Sequence, residues 1–374
     1  MKELKQFFYL VLVVLATATM SCTKEGPQGE AGKDGKDGID GTNGTDGANG
    51  NSTCMECHND ESDLFLKQTQ FEHSTHFVDG PSHVGYANYA GGSCSMCHSN
   101  EGFLTAVAND NNSGGSHPEA TPMSCGTCHQ IHKTYTTDDY KMHYTKAVDM
   151  YLNENDVFTG LEVDATSQYS DPNGMSNTCI KCHQPRHRGD TQPDPTVDGT
   201  LEISAGAAAH WGPHYGAQGA IFGGVGGYVG TTDPTAPSGT KGHHSCKSCH
   251  MSFIASTGNY GEYLGGHAMG LRKGDDTVEF GACNTCHTDR GATIDLEGIM
   301  ASTKALHALL GQDLMDAGIM DAEGHLIGGT WTNKELAAYW NYALVKNDHS
   351  YGIHNKEYSE SLITAGRAYL GTNN

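Results

Sequence analysis

The pentapeptide C-x-x-C-H recurs through this chain and limits its fold more than any other feature. Its six copies occupy residues 54–58, 94–98, 125–129, 179–183, 246–250 and 283–287. Two cysteines three residues apart, with a histidine directly after them, are the attachment signature of c-type haem. Both thiols bond to one porphyrin, and the histidine ligates its iron from the proximal side. The pattern therefore predicts six covalently bound, iron-containing c-type haems.

The motifs assign a role to nearly every cysteine. The predicted attachment residues are Cys54, Cys57, Cys94, Cys97, Cys125, Cys128, Cys179, Cys182, Cys246, Cys249, Cys283 and Cys286. The predicted proximal ligands are His58, His98, His129, His183, His250 and His287. Of the 13 cysteines, Cys22 alone lies outside a motif.

Structural zinc, redox disulfides and coincidence are the alternative explanations of C-x-x-C pairs. Each of them must explain why a histidine follows every pair. With 22 histidines in 374 residues, six such matches by chance have a probability on the order of 10⁻⁸. Covalent haem is therefore the preferred interpretation.

The N-terminus predicts export. After a short basic segment, an apolar run covers residues 7–18, which is typical of a signal peptide and too short to span a bilayer. The following Thr19-Met20-Ser21-Cys22 resembles the lipobox of bacterial lipoproteins. We therefore expect a lipoprotein signal peptide at residues 1–21 and an acylated Cys22 that anchors the chain to a membrane. The alternative is an ordinary cleaved signal that leaves Cys22 as a free thiol.

Glycine occupies every third position from Gly26 to Gly50. A strict G-x-y period is the signature of collagen, because only glycine fits at the axis of three intertwined strands. Lys33-Asp34 and Lys36-Asp37 offer ion pairs between such strands. We expect residues 22–53 to form either a homotrimeric collagen-like stalk or a flexible tether. Both would separate the haem domain from the anchor.

The rest of the chain divides into a predicted six-haem cytochrome domain, residues 54–295, and a helical part, residues 296–374, that packs on it. Only 36% of the residues are hydrophobic and 49 are glycine. The porphyrins must therefore supply much of the buried apolar surface. We expect mostly loops and short α-helices organised around the haems, with little β structure.

Three helices are predicted after the last motif. One opens at a capping box in residues 332–335, a second covers residues 356–370 before Gly371 as its cap, and a third lies near residues 299–315. The residues predicted to face inward on the first two are Leu336, Trp340, Leu344, Val345, Tyr358, Leu362 and Tyr369.

Short motifs within residues 70–370 resemble multihaem c-type cytochromes of extracellular electron transfer and of respiratory nitrogen and sulfur metabolism. Ser74-Thr75-His76 matches the S-x-H element of that family, and Cys128-His129-Gln130-Ile131-His132 matches its C-H-x-x-H element. HWGPHYGAQ, GGHAMG and GIHNKEY match further family positions that carry distal histidines.

The resemblance implies a set of distal iron ligands. They are His76, His132, His214, His244, His267 and His354, with His243 as the alternative to His244 and with His83 and His117 in reserve. Methionine is the other distal ligand of such haems. Met251 and Met269, near the fifth motif, are its candidates.

The resemblance also implies electron transfer. An iron with two protein ligands exchanges electrons without binding substrate, so no catalytic residue is expected. The formal net charge of −22 disfavours nucleic acid as a partner. We expect an outer-membrane lipoprotein, at the cell surface or facing the periplasm, that meets redox proteins or extracellular electron acceptors.

Two alternatives to a simple electron carrier remain. One is a multihaem reductase of nitrite, hydroxylamine or a sulfur oxyanion, in which one haem is open and Arg186-His187-Arg188 binds the anion. The other is a polymerising subunit of a cytochrome filament.

Overall fold

A computed structural model describes residues 54–59, 63–89, 94–151, 162–168, 171–188, 192–229, 245–252, 264–272, 278, 283 and 295–372. All of them belong to one compact unit, Gly50–Asn374. The predicted signal peptide, Cys22 and the G-x-y stretch lie outside the described residues, as do His243, His244, Cys286 and His287.

Short helices dominate the described part of the chain. They are α1 (Leu64–Glu72), α2 (Thr75–Val78), α3 (Gly80–Tyr89), α4 (Ser95–His98), α5 (Asn100–Asn109), α6 (Cys125–Cys128), α7 (Ala165–Gln168), α8 (Met175–Cys182), α9 (Ala205–Ala208), α10 (Gln218–Gly223), α11 (Cys246–His250), α12 (Leu296–Asp316), α13 (Asn333–Asp348) and α14 (Lys356–Tyr369). Single 3₁₀ turns occur at Cys54–Glu56, Thr137–Tyr140 and Gly266–Ala268. None of the helices described is both long and apolar enough to span a membrane.

The strands of the described residues are short and pair antiparallel in twos. They are β1 (Val148–Asp149), β2 (Glu162–Val163), β3 (His187–Arg188), β4 (Thr200–Ile203), β5 (Gly212–Pro213) and β6 (Gly329–Thr332). β1 pairs with β2, β3 with β5 and β4 with β6. The expectation of short helices with little β structure is confirmed for these residues.

The C-terminal helices form where the sequence predicts them. Thr332 caps α13, because its side chain accepts from the Glu335 backbone N–H while the Glu335 carboxylate reaches back to the Thr332 N–H. In α14 the cap residue is Leu370, and Gly371 follows it in the left-handed region at φ +73°. Of the residues predicted to face inward, all are fully buried except Tyr369, which is half-buried.

Much of the side-chain core lies between these helices and residues 201–229, and the same core includes Phe103, Val148 and Ile180. Trp340 of α13 is fully buried and donates its indole N–H to the carbonyl oxygen of Gly226 at 2.8 Å. Trp211 and Tyr228 pack against it edge-on, each with ring centroids 6.1 Å away. Most of the motif helices contribute little to this core, and their histidines face a large cavity instead.

A cavity lined by opposed histidines

A connected cavity of about 2890 Å³ runs through the described part of the molecule. Ordinary ligand cavities measure roughly 300–1,000 Å³, so this space is large enough for several large ligands. All eleven described motif cysteines line it, together with the five described motif histidines. Apolar side chains such as Phe71, Met96 and Phe222 form much of the remaining wall.

Each described motif histidine lies opposite a histidine from another part of the chain. The pairs and the distances between their ring centroids are His58–His132, 6.1 Å; His98–His214, 6.2 Å; His129–His267, 6.3 Å; His183–His76, 5.9 Å; and His250–His354, 6.1 Å. All ten rings line the cavity. The sixth motif histidine, His287, lies outside the described residues.

The separation within the pairs matches two imidazoles that share one metal ion. A metal–nitrogen bond to histidine is about 2.0 Å long, and an atom of a five-membered ring with sides of about 1.33 Å lies about 1.1 Å from the ring centre. Two imidazoles on opposite sides of one ion therefore have centroids about 6.2 Å apart. The five observed distances span only 5.9 to 6.3 Å.

Five histidines implied by the family resemblance thus lie where the predicted distal ligands would have to lie. They are His76, His132, His214, His267 and His354. The sixth implied ligand, His244, and its alternative His243 are outside the described residues. Of the two reserve candidates for distal ligands, His117 hydrogen-bonds to the carbonyl oxygen of Gly114 at 2.7 Å and does not line the cavity. The side chain of His83 is not among those that the structure describes.

The C-x-x-C-H pentapeptide places its three functional side chains on one face by forming a single helical turn. The backbone N–H of the histidine donates to the backbone carbonyl oxygen of the first cysteine at 2.8 to 3.1 Å. This bond is present in the motifs that end at His58, His98, His129 and His183. In the third motif the turn is closed by Ser124 and Thr127, which form a capping box.

The opposite histidines sit on loops and turns that are fixed by specific side chains. Ser74 caps the short helix that carries His76. Gln70 of α1 accepts from the His267 backbone N–H at 3.0 Å, and a Cβ on the adjacent Gly266 would meet the same Gln70 side chain. Gly266 also has φ +52°, a conformation that favours glycine beside His267.

The loop after the third motif holds His132 in a strained conformation. His132 has φ +59° and Tyr135 has φ +58°, a region that non-glycine residues rarely adopt. The buried Asp139 carboxylate stabilises this loop, because it accepts from the backbone N–H groups of Thr134 at 2.6 Å and of Tyr135 at 3.0 Å.

In several histidines that line the cavity, the ring nitrogen Nδ1 donates a hydrogen bond to a specific acceptor. His129 Nδ1 donates to the Tyr140 carbonyl oxygen at 2.7 Å, and His250 Nδ1 donates to the Met269 carbonyl oxygen at 2.9 Å. His183 Nδ1 donates to Gln218 Oε1 at 3.1 Å, and His354 Nδ1 donates to Asp348 Oδ1 at 2.6 Å. Such bonds fix the tautomer and the orientation of a metal-binding imidazole. These acceptors were not predicted, since two of them are backbone carbonyls without any sequence signature.

Burial keeps several of these histidines neutral. It lowers the pKa of His250 to about 4, and it also lowers the pKa values of His183 and His267. Neutral imidazole is the form that binds a metal. At His354 burial also opposes the charge, but the Asp348 carboxylate more than offsets it and raises the pKa.

The motif thiols show which motifs are neighbours. Cys97 of the second motif and Cys182 of the fourth approach each other's backbones, with Cys97 Sγ 3.8 Å from the Cys182 carbonyl oxygen. The pKa of Cys182 is raised by its contact with Cys97, by burial and by the nearby Cys128 of the third motif. A hydrogen bond from Cys179 lowers the pKa of Cys246, in the fifth motif, to about 7.

The first and third motifs meet at one tyrosine. The Tyr140 hydroxyl donates to the Cys57 sulfur, which raises the pKa of that tyrosine to about 12. The carbonyl oxygen of the same Tyr140 accepts from His129, the histidine of the third motif.

The arrangement of the described motif residues differs from that of a structural zinc site or a disulfide. The eleven cysteines described form no disulfide with one another. Within the same residues, no three His, Cys, Asp or Glu side chains converge as a metal site, whereas structural zinc takes four such ligands. Each pair instead places two imidazole rings about 6 Å apart on the wall of a cavity that the motif cysteines also line.

No protein-family model and no curated protein matches this chain. A solved structure that is similar to it is the outer cell wall cytochrome OcwA, with 19% sequence identity and a TM-score of 0.48. The match covers 81% of this chain and 50% of that one, so the chain spans about half the length of OcwA.

Proposed function

We propose that this chain is an electron-transfer protein that carries six c-type haems, each ligated by two histidines. The observation that carries the proposal is the opposition of every described motif histidine to a second histidine at 5.9 to 6.3 Å. The described motif cysteines line the same cavity, so covalent attachment and axial ligation would occur together.

The proposed ligand sets follow from the pairs. The proximal and distal ligands are His58 and His132, His98 and His214, His129 and His267, His183 and His76, and His250 and His354, in motif order. For the sixth motif, the sequence alone supports His287 as the proximal ligand and His244 or His243 as the distal ligand. Bound haem supplies one-electron exchange between ferrous and ferric iron. The chain sets the potential through its ligands, their hydrogen bonds and burial.

Contacts between the motifs support an order for electron transfer. The first motif adjoins the third through Tyr140, and the third adjoins the fourth through Cys128 and Cys182. The fourth also adjoins the fifth through Cys179 and Cys246. The second motif contacts the fourth motif through Cys97. We infer a path that links the first, third, fourth and fifth sites in this spatial order, with the second site as a branch.

The same pairs weigh against the reductase alternative. A reductase needs an iron with an open position. At the fourth motif, where Arg186 was the candidate anion ligand, His76 lies opposite His183. The Arg186 guanidinium instead lies 3.4 Å from Cys94 Sγ. Each described motif therefore has a candidate sixth ligand.

The sequence also supports a location and a class of partners for this protein. An acylated Cys22 would hold the protein at the outer membrane, and the G-x-y stretch would space the haems from it as a trimeric stalk or a tether. Redox proteins or extracellular acceptors would then exchange electrons with it. A fixed anchor favours this role over a subunit of free filaments.

Intact mass and low-temperature electron paramagnetic resonance of the exported protein test the proposal. We expect the mass of six haems above the polypeptide, and only low-spin ferric signals, because two histidines give strong axial ligation. The double variant Cys125→Ala/Cys128→Ala should lose one haem mass. Fewer than six haems in the unmodified protein would contradict the proposal, and a high-spin signal would replace it with the reductase alternative.

A further inference from the structure

Asp348 is a buried carboxylate in a position where a negative charge is unfavourable. It is the last residue of α13, and its side chain is only 1% exposed. A helix C-terminus carries partial negative charge, which repels a carboxylate. Burial without a partner costs further free energy. Such a residue must therefore be stabilised by its contacts.

The two carboxylate oxygens of Asp348 have separate partners. Oδ1 accepts from His354 Nδ1 at 2.6 Å. Oδ2 accepts from the Ser350 backbone N–H at 3.2 Å and from the Ser350 hydroxyl. The Ser350 hydroxyl oxygen also accepts from the backbone N–H of His354 at 3.1 Å, so the three residues form a closed network. Among the ion pairs of the described residues, His354 is the only partner of Asp348.

His354 differs from the other cavity histidines whose Nδ1 has a described hydrogen-bond acceptor, because its acceptor is a carboxylate. The acceptors of His129 and His250 are backbone carbonyls, and that of His183 is the neutral amide of Gln218. A carboxylate acceptor draws the ring proton more strongly and makes the opposite ring nitrogen a better electron donor. A better donor stabilises ferric over ferrous iron.

We propose that Asp348 is a positioning residue that orients His354 and holds the haem of the fifth motif at a lower potential than that of the fourth. The inference rests on the proposed function, since it takes His354 as a distal ligand. The two sites are adjacent, because the Cys246 backbone N–H donates to the hydroxyl of Ser176 at 2.9 Å, in the helix that carries the fourth motif. The lower potential therefore favours electron movement from the fifth site to the fourth and gives the path a direction.

Spectroelectrochemical titration of the holoprotein tests this role. Asp348→Asn keeps the size of the side chain and removes its charge, so one haem of six should shift to a higher midpoint potential. The same haem should show changed low-spin g values, because its ligand field weakens. Asp313→Asn is the matched control: this carboxylate pairs with Arg367 at 2.7 Å and does not line the cavity. It should shift no haem.

A second variant tests the sign and remains useful if Asp348→Asn does not fold. Ser350→Ala removes the hydroxyl donor to Oδ2 but keeps the backbone N–H that holds this oxygen. The carboxylate then becomes a stronger acceptor for His354, and the potential of the same haem should fall. Unchanged or equal-sign shifts in the two variants would overturn the inference.

His354→Ala separates this inference from the proposed function. One new high-spin haem in that variant, without a shift in Asp348→Asn, would refute the tuning role while His354 stays a ligand. Six low-spin haems in His354→Ala would refute the ligand assignment, and the role of Asp348 with it.

Discussion

At the scale of single residues, backbone strain collects on the cavity wall. His132, Met269 and Tyr351 have φ values of +59°, +58° and +46°, and all three line the cavity. A left-handed conformation costs a non-glycine residue about 1–2 kcal/mol. Two of these positions have a visible function: His132 faces His58, and the Met269 carbonyl orients His250. The strain is therefore consistent with positioning of metal ligands.

Single histidines can be sorted by what their rings face. His267 faces His129 across the cavity, whereas His307 of α12 stacks on Tyr342 at 4.2 Å and bonds to its carbonyl oxygen at 2.9 Å. Burial lowers the pKa of His307 to about 4, so it too is a neutral, buried histidine. The sequence distinguishes the two only through the GGHAMG resemblance, because burial is not visible in either local pattern.

We expect His267→Ala to convert one haem of six from low-spin to high-spin, since alanine cannot ligate iron. His307→Phe is the matched control, because phenylalanine retains the stacked ring and His307 does not line the cavity; all haems should stay low-spin. Electron paramagnetic resonance of both oxidised variants measures the difference. A low-spin His267→Ala protein would remove His267 from the proposed ligand set.

At the scale of elements, local signals were enough for the C-terminal helices. Helix α13 begins at the predicted capping box, and α14 ends at Tyr369 with Leu370 as its cap, one residue before the predicted cap Gly371. Caps and helical periodicity depend on residues within one or two turns. The pairing of β3 with β5 was not predicted, because two-residue strands show no alternation. That pairing places the His214 N–H 2.8 Å from the Arg186 carbonyl oxygen, so it depends on the tertiary fold.

Thr332→Ala should destabilise the protein by about 1 kcal/mol, because it removes the side-chain acceptor at the start of α13. The control is Ser361→Ala, an exposed hydroxyl that bonds only to the Glu357 carbonyl oxygen within α14. It should change the free energy of unfolding by less than about 0.5 kcal/mol. Denaturant unfolding followed by far-ultraviolet circular dichroism compares them, with haem spectra unchanged. Equal stability of both variants would show that the capping box contributes nothing.

At the scale of the whole molecule, the sequence predicts six haem sites but does not indicate which of them are neighbours. Motif order along the chain differs from contact order, since the second motif meets the fourth and the first meets the third. These contacts join residues 85 positions apart, as for Cys97 and Cys182. No local pattern encodes such distances. The pairs also differ in exposure: His58 and His132 are exposed, whereas the other eight rings are half-buried.

That exposure predicts where an external acceptor exchanges electrons fastest. Met55, within the first motif, is 54% exposed and lies beside Cys54 and His58. Because the chain carries a formal charge of −22, an anionic acceptor such as hexacyanoferrate(III) is repelled, and local charge governs its approach. Met55→Lys should speed oxidation of the reduced protein and Met55→Glu should slow it, with roughly a threefold to tenfold difference at low ionic strength.

The matched control for Met55 is Val197, which is also 54% exposed but lies outside the C-x-x-C-H motifs. Lysine or glutamate at Val197 adds the same charge at a distance from the haem sites and should leave the rate unchanged. Added salt should remove the Met55 effect, since a Debye length of about 10 Å at 0.1 M screens exposed charges. Stopped-flow kinetics over a range of salt concentrations measures both. If charges at Met55 and Val197 act equally, electrons do not exchange preferentially at the first site, and exposure of its histidines is not what sets the rate.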